Sequence, residues 1–164
     1  VVSSCTFCGH HDTNEAVVPM LNSTIEDMLV SKGVDTFYVG THGSFDLLVL
    51  SALRNMKNRY PYILYSVVLA HMPGVINEHS YYEAFETLYP DGLERVPRRF
   101  AISHRNRWMV EQSQYLIAFV QHGWGGAAQT LKYAKTKGLN ITNLSNYEGD
   151  IAGHDNNLIA KQGI

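Results

Sequence analysis

Short apolar runs rich in β-branched and aromatic residues alternate along this chain with longer segments whose apolar residues recur every three or four positions. Few arrangements accommodate that alternation, because neighbouring parallel strands need long crossovers and helical crossovers pack back onto the sheet with one hand. The runs "VSSCTFC" (2–8), "GVDTFYVG" (33–40), "YILYSVVLA" (62–70), "YLIAFV" (115–120) and "LNITNL" (139–144) read as strands. Between them, residues 15 to 31 place Val18, Leu21, Ile25, Met28 and Leu29 at helical spacing, with Pro19 tolerable in a first turn that starts near Val18. Leu47, Leu50, Leu53 and Met56 mark a second helix ended by Pro61, and "AISHRNRWMVEQS" and residues 127 to 137 supply two more. "YILYSVVLA" is apolar almost throughout, as expected of a strand buried on both faces at or near the sheet centre. The expected fold is a Rossmann-like three-layer α/β/α sandwich with a mainly parallel sheet of about five strands.

With 164 residues, 45% of them hydrophobic, the chain suffices for one core and is short for two. One domain over 1–146 is expected, carrying an aromatic-rich insert at 71–100, with a polar tail at 147–164. Tyr81, Tyr82, Phe85 and Tyr89 of the insert read as a packed flap. A net charge of −2 gives no broad electrostatic footprint, so neither a membrane nor nucleic acid is an expected partner, though a local basic patch stays open. No run is long enough for a membrane span and the start lacks a secretory pattern, so a cytoplasmic protein is expected. Cys5 and Cys8 have C-x-x-C spacing, but positions three apart on a strand face opposite ways, so packing as small hydrophobes is expected instead of metal or redox chemistry.

Three loops share one grammar. "CGHHDT" follows the first strand, "VGTHGSF" the second and "QHGWGGAAQT" the fourth, each with glycine and a hydroxyl or histidine just ahead of a helix. The first amides of a helix have no partner within it and, with the helix dipole, favour an anion. A strand order such as 3-2-1-4-5 brings the first and fourth loops to the crevice where the winding reverses, the ordinary ligand position in such sheets. The candidate ligand-binding residues are therefore Gly9, His10, His11, Asp12 and Thr13; Gly40, Thr41, His42, Gly43 and Ser44; and His122, Gly123, Trp124, Gly125, Gly126, Ala127 and Thr130. His10, His11, His42, His71 and His122 all fall at strand ends, but no carboxylate stands at ligand spacing, so hydrogen bonding and no metal is expected of them. Arg105, on the helix leading to the fourth strand, is a candidate for bidentate phosphate binding.

In order and over nearly the whole length, "CTFCGHHDT", "VDTFYVGTHGSFD", "VPRRFAISHRNRWMVEQS" and "HGWGGAAQTLKYAKTKG" resemble the small bacterial members of the SLOG superfamily. That group unites Rossmann-like proteins related to the lonely-guy phosphoribohydrolases and to DNA-processing protein A. The resemblance implies a nucleotide-derived ligand held by the first and fourth loops and a homo-oligomer; no cofactor is expected. The phosphoribohydrolases carry M-H-x-R-K-x-x-M and P-G-G-x-G-T-x-E-E. Arg105, Met109 and Gly126 match, whereas Asn106 replaces the lysine, Ala127 the threonine, and Gln129 and Thr130 the two glutamates. In the first loop His11 stands where the nearest relatives have arginine.

An amide cannot move the proton that N-glycosidic cleavage needs. The expected function is thus binding without turnover of a nucleotide-derived signal, ADP-ribose-like or cyclic, of the kind related domains recognise in antiphage defence. The alternatives are an N-glycosidase using Asp12, Asp46 or Glu83, and single-stranded DNA binding, the latter opposed by the acidic balance.

Overall fold

The computed structural model describes residues 3–72 and 86–147. Its sheet is parallel throughout and has six strands: β1 (Ser4–Gly9), β2 (Thr36–Val39), β3 (Leu64–Val68), β4 (Thr87–Leu88), β5 (Tyr115–Phe119) and β6 (Asn140–Asn143). The spatial order is β4-β3-β2-β1-β5-β6. The five expected strands stand in the expected order, and the addition is β4, a two-residue edge strand pairing with Val67 and Val68. Nothing in so short a segment, set among prolines, signals a strand by pattern.

Helices α1 (Val18–Val30) and α2 (Ser44–Arg59) cover one face, and α3 (Ala101–Glu111) and α4 (Gly126–Thr136) the other. Alternation along the strands divides the core: Cys5, Phe7 and Ile117 join Leu21, Ile25, Val49 and Leu53, while Cys8, Leu116 and Ala118 join Val110, Ala128 and Leu131. Cys5 and Cys8 accordingly sit on opposite faces, both buried and unpaired.

Two sequence expectations need correction. β3 lies beside the central pair of strands but is not buried throughout: Leu64 is 57% exposed and Tyr65 and Ser66 are half-buried, because β4 reaches only the far end of the strand. In α2 the buried stripe is Phe45, Val49, Leu50, Ala52, Leu53 and Met56, and Leu47 lies off it, 42% exposed. A strict three-residue step drifts around a helix of 3.6 residues per turn, and the true stripe mixes steps of three and four. Pro19 does occupy the first turn of α1. Tyr81, Tyr82, Glu83, Phe85 and most of the tail lie outside the described residues. No helix among the described residues is long and apolar enough to cross a membrane.

Candidate functional site

The loops after β1 and β2 are locked together. Gly43 has φ +94° and ψ 179°, a region only glycine adopts readily, and a Cβ there would stand 2.4 Å from the His11 Cα. The Ser44 amide donates to the His11 carbonyl at 2.9 Å, and the Ser44 hydroxyl donates to the Thr13 carbonyl at 3.0 Å. Thr13 is buried, its hydroxyl donating to the His10 carbonyl. The start of α2 thus spends its first amide on the neighbouring loop. The 3-10 turn preceding α1 is capped by Asn14, whose side chain accepts from the Ala16 amide. At two of the three helix starts that the loop pattern marks as anion sites, an amide is thus engaged by the protein itself.

The loops after β1 and β5 also meet. His10 is buried, and its Nε2 accepts the Gln121 amide at 2.8 Å, which requires the neutral imidazole. Burial first, then the neighbouring His122, depress the His10 pKa, with Asp12 pulling the other way. The His10 and His122 rings stack at 4.0 Å and 18°, and His122 stacks on Trp124 at 3.7 Å and 14°. His122 Nδ1 lies 2.9 Å from the Trp124 carbonyl, in hydrogen-bond contact. The junction between these loops is therefore filled by imidazoles, and the column ends in an indole that is 70% exposed.

Arg105 is only 1% exposed. Its guanidinium donates to the Thr41 hydroxyl at 3.0 Å, the Val68 carbonyl at 2.9 Å and the Asn106 side-chain oxygen at 2.9 Å. On the same side of Gly40 lies Asp46, buried and accepting the His42 amide at 2.9 Å; a Cβ on Gly40 would meet the carboxylate at 2.9 Å and the guanidinium carbon at 3.3 Å. Burial pushes the Asp46 carboxyl up, opposed by Arg105 and the His42 amide. Arg105 ties α3 to the ends of β2 and β3, and Gly40 is the space its head group needs. Gly9 has a similar reason, since a Cβ there would overlap the Phe45 ring.

Open space lies on the other helical layer. A cleft of about 200 Å³ between α3 and α4 is lined by Arg99, Ser103, Asn106 and Arg107 on one side and Gly126, Gln129, Thr130 and Tyr133 on the other. Gly125, the residue before α4, is again at φ +93° and ψ 175° and gives no side-chain cap, and a Cβ on Gly125 or Gly126 would meet nothing within 4 Å. Thr130 donates to the Gly126 carbonyl, holding the first turn. Arg107 and Lys137 flank the Tyr133 ring, whose hydroxyl donates to Glu111.

Of the residues chosen by the loop pattern, Gly126 and Thr130 reach this cleft, with Ala127 half-buried beside it and Trp124 and Gly125 close by in the chain. His11, Asp12 and His42 are exposed on the joined first and second loops. Arg99, Ser103, Asn106, Arg107, Gln129 and Tyr133 are not loop residues. Their signal is a shared helical face: 99, 103 and 107 four apart, and 126, 129, 130 and 133 three or four apart. The segment that supplies both walls is also basic. Seven of the chain's thirteen Lys and Arg fall within residues 98–137, against one acidic residue, Glu111. Among the described residues no three His, Cys, Asp or Glu side chains come together as a metal site.

The all-parallel sheet flanked by helices on both faces defines a Rossmann-like α/β protein. Among solved structures the chain is similar to DNA processing protein A from Streptococcus pneumoniae, with TM-score 0.64 and 13% identity over 99% of this chain and 57% of that one. It is also similar to DNA processing protein A from Helicobacter pylori, in a structure describing single-stranded DNA binding, with TM-score 0.63 and 13% identity over 98% of this chain and 73% of that one. The chain thus spans little more than half the length of the first. No protein-family model and no curated protein matches the chain by sequence. At this identity the likeness establishes a shared fold.

Proposed function

We propose that the chain binds single-stranded DNA across the cleft between α3 and α4. The observation that carries this reading is the basic, open cleft itself: Arg99 and Arg107 on one wall, and on the other the uncapped start of α4 at Gly126. Exposed charges act over a Debye length of about 8–10 Å, so a polyanion responds to Arg99 and Arg107 at the cleft more than to the net charge of the chain. Size supports the same reading. At about 200 Å³ the cleft falls below the roughly 300–1,000 Å³ of pockets that enclose a small ligand, and suits one phosphate and sugar of a strand passing over it. The similarity in fold to the Helicobacter pylori protein, whose structure concerns single-stranded DNA, adds to this.

A nucleotide-derived signal held without turnover is the second reading, favoured by the open first turn of α4, where an anion meets unpaired amides. Hydrolysis has less support: no carboxylate lines the cleft, Gln129 stands within it, and Asp46 is buried against Gly40. Titrating a fluorescently labelled single strand, a duplex of equal length and a set of free nucleotides at several salt concentrations tests both. The strand reading expects preference for the single strand and log affinity falling linearly with log salt. A free nucleotide that binds tightly and displaces the strand would transfer the cleft to the second reading, and absence of strand binding at low salt would remove the first.

A further inference from the structure

The column of rings at the end of β5 has a direction. It starts at buried His10, whose ring is fixed by the Gln121 amide, passes through His122 and finishes at Trp124. Each ring is nearly parallel to the next, at 18° and 14°. One face of the indole is covered by His122; with the side chain 70% exposed, the other face is open. Such a face would ordinarily be costly to leave in water and free to rotate away. Here the stack and the contact from His122 Nδ1 to the Trp124 carbonyl hold it in place, so a further ring added to the column loses little conformational freedom.

We propose that the outer face of Trp124 seats an unpaired nucleobase of a strand whose adjacent phosphate lies in the α3–α4 cleft. This rests on the single-strand reading and adds the base contact to it. A single residue, Gly125, separates Trp124 from Gly126 in the cleft wall, so platform and phosphate site are joined by the same turn. Stacking is tolerant of base identity because every base has a π face, and it is denied to duplex DNA, whose bases are already stacked. A positive charge stands beside the same turn: Lys132 reaches back to the Gly123 carbonyl at 3.4 Å.

The test uses the full chain in a Trp108→Phe background, which leaves Trp124 as the sole indole. A short oligothymidylate and an abasic strand of the same length and charge are compared. Oligothymidylate should quench the Trp124 emission and bind on the order of tenfold to a hundredfold tighter than the abasic strand. Trp124→Ala should abolish that preference while leaving abasic binding unchanged, and Trp124→Phe should restore part of it. Equal binding of the two strands by the parent protein would overturn the base seat and leave the cleft reading intact, whereas failure to bind either would overturn both. If Trp124→Ala leaves strand affinity unchanged but alters the sedimentation of the protein, the indole seats a second copy of this chain and the proposal is wrong.

Discussion

His10 Nε2 accepts the amide proton of Gln121 at 2.8 Å, across 111 positions of sequence, and so joins the loops that follow β1 and β5 through a side chain that must stay neutral. In the Rossmann-like arrangement this is the place where winding reverses and a crevice normally opens. The protein fills it with imidazole and carries the exposed end of the stack outward to Trp124.

That bond makes stability depend on pH with a definite sign. The His10 pKa is depressed below its usual 6.5, by burial and then by His122, so on acidification the unfolded chain takes up a proton before the folded one does. The contribution is fully present above about pH 6.5 and declines as pH falls from there towards the folded-state pKa. Denaturant midpoints between pH 7.5 and 5 should fall in the wild type and fall less in His10→Gln, which keeps an acceptor but no titrating ring. Parallel curves for the two proteins would remove His10 as the cause.

Gly43 and Gly125 adopt nearly the same backbone at the starts of α2 and α4, yet face different surroundings. Alanine at either position bears a conformational penalty of about 1–3 kcal/mol. At Gly43 it also drives a methyl into the His11 backbone. Gly43→Ala should therefore be the more destabilising in urea unfolding, and equal losses would show that the contact between the first two loops yields cheaply.

Arg105 and Asp46 are both buried against Gly40, so removing the guanidinium leaves a carboxyl without its nearby cation and the Val68 carbonyl without this donor. Breaking such a buried arrangement costs about 3–5 kcal/mol. Arg105→Ala should lose about that much in chemical denaturation, and Asp46→Asn in the same background should recover part of it. Losses that simply add would mean the two groups do not interact.

Arg99 and Arg107 predict a salt signature. Each lines the cleft and is exposed, so replacing either with Gln should weaken strand binding with little effect on folding. If each contacts a phosphate, the slope of log affinity against log salt becomes shallower by about one per arginine. An unchanged slope would place the strand elsewhere.

Cys5 and Cys8 are buried on opposite sides of the sheet, and burial raises both thiol pKa values far above the usual range. Only the thiolate reacts readily, so a thiol reagent should label neither cysteine in the native protein and both after denaturation. Rapid native labelling of Cys8 would require an opening of β1.

Element type and order were legible in the sequence because periodicity is a local property: five strands, four helices and the two faces of β1 all follow from spacings within about a dozen residues. The cap glycines were legible for the same reason, since a turn into a helix states its backbone need in a few residues. What those glycines are for was not. Gly9 and Gly40 make room for Phe45 and for the Asp46 and Arg105 head groups, contacts set by how helices lie on the sheet. The same holds for Arg105, whose partners Thr41 and Val68 are 64 and 37 positions away, and for a cleft whose walls come from two separate helices. Spacing along one chain fixes which residues share a face. Only packing decides what that face meets, because the free energy of burying a charge or leaving a groove open depends on neighbours that no local pattern contains.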